Sequence, residues 1–236
     1  MPAYFPDGKV NSEGKLTYPK TKTTKNVDFA RPPVGGKFKI KKNNQEFVLV
    51  ASHFDAPGIN KGGYIKGKEE GKVDSKDGFD STNGSQEISE ANHLLDTMEF
   101  FKSKTNTDNL FFMGDTNIKA KSHDKAFERL LTSYKSLIDK SNNTALGKNY
   151  GIYSNSYDKI FQSKSSSLMT ENANKYPLWD VIKDNITTKQ SLEDTYKEKQ
   201  KEDKKPIDKT DLQNIENKVK EYISDHSPVY FEIALN

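Results

Sequence analysis

The 236-residue chain contains no cysteine and only two arginines, Arg31 and Arg129. Without thiols it can form neither disulfides nor thiolate zinc sites, and it has no cysteine nucleophile. Lysine supplies the rest of its 37 basic residues. This bias is more typical of an AT-rich genome than of a designed phosphate clamp. The net charge of +3 permits nucleic-acid binding without demonstrating it.

Apolar residues are also scarce, at 32% of the chain, and mean hydropathy is −0.91. No apolar run is long enough to cross a bilayer, and the segment that begins Met1-Pro2-Ala3 does not resemble a signal peptide. The sequence therefore gives no evidence of membrane insertion. It leaves localisation open, with export or cell-surface display of an intact protein as one hypothesis.

The apolar residues that are present cluster into short runs that predict buried strands. A hairpin is predicted from Lys37–Ile40 and Glu46–Val50, and further strands from Leu110–Met113 and Val229–Leu235. Helical spacing predicts amphipathic helices over Glu87–Phe101 and Leu212–Tyr222. We interpret residues 1–236 as one α/β domain that includes a polar loop, 58–85, and a charged insertion, 189–211.

Polar side chains stand where these strands begin or end. His53 follows the first buried strand, and Asp115 and Asn117 follow the second. Asp158 opens a further strand, while the pair Asp225-His226 directly precedes the last. If these strands lie antiparallel in one sheet, the groups share a rim. Two imidazoles, three carboxylates and an amide there would form a metal-assisted hydrolase site.

Four motifs in order carry a family resemblance. They are His53, Gly114-Asp115-Thr116-Asn117, Tyr157-Asp158-Lys159-Ile160 and Ser224-Asp225-His226-Ser227-Pro228-Val229. This order resembles the endonuclease/exonuclease/phosphatase superfamily, and its nearest branch looks like deoxyribonuclease I and its bacterial nuclease relatives. The resemblance covers roughly residues 28–118 and 150–236. It implies a deoxyribonuclease I-like four-layer α/β sandwich that is incomplete at the N-terminus.

The resemblance also implies a reaction, the metal-dependent hydrolysis of phosphodiesters in DNA, with RNA as an alternative, leaving a 5′-phosphate and a 3′-hydroxyl. Mg²⁺ is the expected cofactor, with Ca²⁺ and Mn²⁺ as alternatives. Asp115 and Asn117 would orient the attacking water. His53 and His226 would stabilise the phosphate and the leaving group, and Asp158 would orient the imidazole of His226.

Two further roles follow from the same resemblance. Asp225 and Asp115 would hold the metal, while Arg31 and Asn117 would contact the substrate. For Arg31 a surface position over Phe29 is an equally good interpretation. His93 is expected to be an exposed helix residue, and His123 a loop or cap residue, both without a functional role.

The N-terminal part departs from the family pattern. The family fold needs an Asn and a metal-binding Glu on early strands, plus a Glu that partners the first His. Only 52 residues precede His53 here; Glu13 and Glu46 both fall in polar turns of the sequence. We therefore expect weak or no activity from this chain alone, and either complementation by a separate N-terminal segment or self-association.

Two rival functions stay open at this point. The first is a phosphomonoesterase or sphingomyelinase of the same superfamily, acting on phosphate esters or lipid headgroups. The second is a catalytically inactive fragment or binding module, because part of the metal site is missing.

Overall fold

The computed structural model describes residues 29–59, 73 and 75–235. The strands are β1 (Val34–Lys39), β2 (Glu46–His53), β3 (Leu110–Asp115), β4 (Tyr134–Ser136), β5 (Asp158–Ser163), β6 (Thr170–Lys175) and β7 (Val229–Ile233). The α-helices are α1 (Ser85–Asn92), α2 (Leu94–Thr105), α3 (His123–Ala126), α4 (Lys189–Glu202), α5 (Lys209–Gln213) and α6 (Val219–Tyr222). Short 3-10 turns cover Ser75–Asp77, Ala120–Ser122, Leu130–Thr132, Leu178–Val181 and Ile215–Lys218.

Five strands form a mixed sheet in the order β1-β2-β3-β5-β4. β1 and β2 form the predicted antiparallel hairpin, whose turn places Asn44 at a φ of 60°. β2 and β3 run parallel, as their helical crossover through α1 and α2 allows, while β5 is antiparallel to β3. The expectation of one antiparallel sheet was wrong, since β2 and β3 are parallel and β7 pairs with β6 in a second sheet.

Helices α1 and α2 cover one face of the five-stranded sheet. Apolar side chains of both layers form a single buried core, which includes Val50, Phe112, Ile88 and Met98. The predicted helix is interrupted at His93, whose φ and ψ of −95° and 3° fall outside the helical range. His93 was expected to be exposed but is buried, and its Nδ1 lies 2.8 Å from the Ser89 carbonyl oxygen.

The second sheet packs on the opposite face. The ring of Phe231 on β7 stacks on Phe111 of β3, with centroids 4.7 Å apart. Thr170 of β6 donates its hydroxyl to Gln162 Oε1 at 2.8 Å. A helical layer and two stacked sheets confirm the predicted α/β sandwich class. The outward-facing Tyr230 keeps 41% of its surface exposed.

The remaining helices build a second core beside the sheets. The charged segment 189–211 supplies α4, which buries Leu192 and Tyr196 against Trp179 and Val219. The predicted helix over 212–222 is not continuous, since it consists of the end of α5, a 3-10 turn and α6. Within the described ranges, no helix is long and apolar enough to span a membrane.

The two N-terminal glutamates have different outcomes. Glu13 lies outside the described residues. Glu46, predicted at the junction of the turn and the strand Glu46–Val50, is the first residue of β2, where its carboxylate pairs with Lys37 at 2.7 Å. Because His53 is the last residue of the same strand, Glu46 lies at the opposite end of the sheet.

Candidate active site

The polar groups converge where β2 and β3 end and β5 begins. The strand register places His53 opposite Asp115 and Asp115 opposite Asp158. His53 Nε2 lies 3.4 Å from Asp115 Oδ2. His226 Nδ1 lies 2.7 Å from Asp158 Oδ2 and 3.7 Å from Asp115 Oδ2. Two parallel strand ends and one antiparallel strand start therefore meet at one rim, although the sheet is not antiparallel throughout.

His226 reaches this rim from the second sheet through a short extended segment, 144–146, that the sequence did not predict. Ala145 forms a β-bridge with His226, and the Leu146 amide donates to the Asp225 carbonyl at 2.7 Å. The Asp158 amide donates to Thr144 Oγ1 at 3.0 Å. The same segment therefore fixes both the carboxylate and the imidazole of the pair.

Asn117 is held in the left-handed region, at a φ of 53°, which Asn tolerates better than most residues. Its amide N–H donates to Asp115 Oδ1 at 3.0 Å, and its side-chain Nδ2 donates to the Phe54 carbonyl at 3.4 Å. Asn83 Nδ2 donates to the Asn117 carbonyl at 3.0 Å. These bonds tie the tight turn after β3 to the residue that follows His53.

Two opposing effects act on the pKa of His226. Burial lowers it, but the hydrogen bond and charge of Asp158, with the charge of Asp115, outweigh burial and raise it overall. Burial raises the pKa of Asp115, and the charge of His226 opposes that rise. The Tyr157 ring stacks on His226 with centroids 5.9 Å apart and shields one face of the imidazole.

Arg31 contacts the backbone beneath His53. Its NH1 donates to the Phe54 carbonyl at 2.9 Å and to the His53 carbonyl at 3.3 Å. The side chain is exposed, and a guanidinium carries five N–H donors in total. The interpretation as a surface Arg is therefore incomplete, because the group anchors the end of β2. Its contact with substrate stays a prediction.

Asp115, Asp158 and His226 form a group with ligand geometry, since one donor atom from each lies within 4.8 Å of the others. Carboxylate oxygens suit Mg²⁺, Ca²⁺ and Mn²⁺, so the two carboxylates of this group fit a divalent metal. Asp225, predicted as a ligand with Asp115, is not in this group. Its side chain lines a neighbouring cavity, and its role stays a prediction.

Sequence reasoning missed two buried glutamates on α1 that hold the site loops. Glu90 accepts the Asp55 amide at 2.8 Å and also the amide of Ala30, so it ties the strand that carries His53 to the segment that carries Arg31. Glu87 accepts the Gly58 amide at 3.0 Å and Asn83 Nδ2 at 3.2 Å. Burial raises the pKa of Glu87 to about 7 and that of Glu90 to about 8.

The signal for these glutamates was present in the helical period. Glu87 stands four and seven positions before Ala91 and Leu94, and Glu90 stands four positions before Leu94. Residues at these spacings share one face of a helix. Both carboxylates therefore lie on the apolar face, where a charge needs a specific partner.

A buried lysine, Lys159, lies behind the rim on β5. Its ammonium donates to Ser156, and burial lowers its pKa to about 8. His123, expected in a loop or cap, begins α3 and is buried against Phe127 and Phe161. Neither Lys159 nor His123 forms a hydrogen bond with the side chains of His226 and Asp158 in the structure, and we assign neither a catalytic role.

No protein-family model matches the sequence. An uncharacterized protein of Mycoplasma pneumoniae is 33% identical over 140 residues, which cover 59% of this chain and 27% of that protein. The chain thus spans about a quarter of this curated relative.

Similar solved structures include a mannosyl-6-phosphatase of Bacteroides thetaiotaomicron VPI-5482, with a TM-score of 0.46 and 15% identity, covering 87% of this chain and 57% of that one. An endonuclease/exonuclease/phosphatase protein of Bacteroides vulgatus gives a TM-score of 0.43 and 13% identity, covering 86% and 56%. The human Nocturnin catalytic domain gives 0.40 and 13%, covering 66% and 51%.

These structural neighbours include members of the endonuclease/exonuclease/phosphatase family, which is the family that the four sequence motifs resemble. The chain spans little more than half of each neighbour's length. Because the TM-scores lie below 0.5, we base the functional proposal on the residues of this chain.

Proposed function

We propose that this chain carries the catalytic centre of a divalent-metal-dependent nuclease that hydrolyses phosphodiester bonds of DNA, with RNA as the alternative substrate. The observation that supports this best is the Asp158–His226 hydrogen bond of 2.7 Å, directly beside Asp115 and His53. Hydrolysis would leave a 5′-phosphate and a 3′-hydroxyl.

In this proposal the imidazoles of His53 and His226 stabilise the negative charge on the phosphate and on the leaving group. Because Nδ1 of His226 is bonded to Asp158, Nε2 is the ring nitrogen left for a substrate oxygen. The raised pKa favours the imidazolium, which can donate a proton to a leaving alkoxide. His53 has 52% of its side chain exposed and can meet the phosphate from the β2 side.

Asp115 and Asn117 orient the attacking water in this proposal. Asp115 is fixed by the Asn117 amide on Oδ1 and by the two imidazoles near Oδ2. The carboxylates of Asp115 and Asp158 are the groups that would hold the metal. A divalent ion bound there neutralises charge on the phosphate and lowers the pKa of bound water.

The test is cleavage of supercoiled plasmid DNA with Mg²⁺, Ca²⁺ or Mn²⁺, against an EDTA control. His226→Ala should reduce metal-dependent cleavage by at least about a hundredfold, the usual scale for a lost general acid. Asp158→Asn should also reduce it, because the imidazole loses its charged partner. Near-normal cleavage by His226→Ala would overturn the assignment.

A matched carboxylate control is Asp108→Asn. Asp108 pairs with Lys102 at 2.7 Å on the surface beyond α2, at the opposite end of β3 from Asp115. Its substitution should leave cleavage unchanged. Hydrolysis of p-nitrophenyl phosphate or sphingomyelin in place of DNA would favour the phosphatase or sphingomyelinase alternative, and loss of all three activities would favour an inactive fragment.

A further inference from the structure

A cavity of about 740 Å³ opens beside the catalytic rim. Asp225, the neighbour of His226, lines it together with residues of α6 and of the loop Gly147–Gly151. Its volume falls within the range typical of ligand sites. It is therefore placed to receive the part of a substrate that extends beyond the scissile bond.

Three lysines line this cavity, but they differ in what already holds them. Lys218 forms ion pairs with Asp211 at 3.2 Å and Glu221 at 3.1 Å, so its charge is balanced. Lys220 donates to the Leu146 carbonyl at 2.8 Å. Lys148 is exposed, and in the described part of the chain it forms no ion pair. Its ammonium is thus available to an anionic ligand.

The loop that carries Lys148 also presents an exposed aromatic ring two residues further along the chain. Tyr150 has 44% of its surface exposed, and its ring meets Trp179 edge-on with centroids 5.3 Å apart. The Tyr150 amide donates to Asn217 Oδ1 at 2.6 Å, and the loop is closed by the Gly147 amide on the Ile152 carbonyl at 2.7 Å. The ring is therefore held in place before any ligand binds, which reduces the entropic cost of stacking.

The loop is tied directly to the catalytic segment. It begins one residue after Leu146, whose amide is bonded to the Asp225 carbonyl. Tyr150 lies four residues beyond Leu146, so its Cα lies within roughly 14 Å of the Leu146 Cα. Tyr150 is therefore carried on the same short stretch of chain whose residues Ala145 and Leu146 hold the Asp225-His226 pair.

We propose that the loop Gly147–Gly151 and the adjoining cavity bind the nucleotides that flank the scissile bond in single-stranded nucleic acid. Tyr150 stacks on an unpaired base, and Lys148 contacts a neighbouring phosphate. An aromatic ring beside a cation is the combination that single-strand binders use, and stacking requires a base that is free of its complement. This inference rests on the proposed function and names the substrate form that it favours.

The experiment measures binding without hydrolysis. A fluorescein-labelled 12-nucleotide single strand and the matching duplex are titrated against the full chain in EDTA, with fluorescence anisotropy as the readout. Tyr150→Ala should weaken single-strand binding by at least about fivefold, the lower end of the effect of losing one stacked base. Tyr150→Phe keeps the ring and should restore the affinity. Tyr230→Ala, which removes a comparably exposed tyrosine from β7, should have no effect.

Lys148→Gln tests the phosphate contact separately. It should reduce the slope of log affinity against log salt by about 0.7, the value for one phosphate contact on a single strand. Lys135→Gln, at an exposed lysine on β4, removes the same charge and should leave the slope unchanged. Trp179 is the only tryptophan, so its emission should change as the single strand binds beside Tyr150.

Equal affinity of the wild-type chain and Tyr150→Ala would overturn this inference, as would absence of single-strand binding or tighter binding of the duplex. These outcomes concern binding in EDTA. They are distinguishable from failure of the proposed nuclease function, which would appear as absence of metal-dependent cleavage.

Discussion

At the scale of single residues, the site depends on carboxylates in two different settings. Asp158 and Asp115 lie within reach of imidazoles that can carry positive charge. Glu87 and Glu90 are fully buried, and the N–H groups that they accept within the described ranges all belong to neutral donors. The first pair therefore suits chemistry on an anionic substrate, whereas the second pair fixes the loops around it.

The pKa of Glu87 leads to a prediction on stability. Burial raises this pKa from 4.5 to about 7, so the folded chain favours the protonated form more than the unfolded chain does. Stability from this group is therefore full below about pH 4.5 and falls as pH rises towards about 7. Glu87→Gln should remove this pH dependence and raise stability above pH 7 by up to about 3 kcal/mol. Urea denaturation at pH 5 and pH 8 measures the effect.

Glu90→Gln is the matched control. Both oxygens of Glu90 accept N–H groups, whereas Glu87 uses Oε1 alone, and Oε2 of Glu87 has no partner among the described residues. An amide nitrogen at position 90 would face a donor, which costs about 1–3 kcal/mol. Because burial also raises the pKa of Glu90, to about 8, this loss should be full at pH 5 and smaller at pH 8. A Glu87→Gln chain less stable than wild type at pH 8 would contradict the interpretation.

At the scale of elements, the parallel pairing of β2 and β3 brings His53 beside Asp115. The two strands approach so closely at Ser52 and Gly114 that a Cβ on Gly114 would lie 2.0 Å from the Ser52 carbonyl oxygen. The glycine of the Gly-Asp-Thr-Asn motif is thus required by packing one residue before Asp115.

Gly114→Ala should separate the ends of β2 and β3, because the contact is with backbone and no side chain can move aside. We expect a loss of about 3 kcal/mol in the free energy of unfolding and loss of DNA cleavage. Gly36→Ala on β1 is the control, since its Cβ would meet only the Phe38 ring at 3.1 Å, and that ring is 48% exposed. Thermal melts and plasmid cleavage check both variants. Unaltered melting of Gly114→Ala would count against the close approach.

The sequence predicted the elements that have strong apolar periodicity. β2, β3 and β7 are apolar runs, and the polar residues at or next to their ends predicted His53, Asp115 and His226 as site residues. β6 was missed because Thr-Glu-Asn-Ala-Asn-Lys has no apolar face, so only its pairing with β7 makes it a strand. Segment 144–146 was missed for a similar reason, since single bridges and backbone bonds define it.

The pairing direction could not be predicted from local pattern. A buried apolar run looks the same in a parallel or an antiparallel pair, and the predicted helix between β2 and β3 is compatible with the parallel pairing that the structure shows without fixing it. The break at His93 depends on a side-chain bond to the Ser89 carbonyl within the packed interior. Both features arise from tertiary contacts. The convergence of the site groups was predicted from strand ends in one antiparallel sheet, whereas in the structure it comes from the parallel ends of β2 and β3 and from the bridge between Ala145 and His226.

At the scale of the whole molecule, the second sheet consists of two strands, β6 and β7, among the described residues. In the described part of the chain β7 pairs only with β6, which leaves its other edge without a partner strand. Tyr230 on β7 and Leu235 just beyond it are each 41% exposed. Open strand edges with apolar neighbours are templates for another strand.

We therefore predict that the 236-residue chain self-associates through β7 at micromolar concentration, because pairing would satisfy the free backbone groups and bury apolar surface worth about 25 cal/mol per Å². Light scattering after size exclusion, over a hundredfold range of concentration, measures the mass. Tyr230→Lys should shift the equilibrium towards monomer, since charged side chains protect exposed edges. Ile186→Lys, at an apolar residue that is 65% exposed beside the second core, should leave the mass unchanged. A chain that is monomeric throughout this range would contradict the prediction and show that the β7 edge is already protected. A separate N-terminal segment would then find no free strand edge on β7 to pair with.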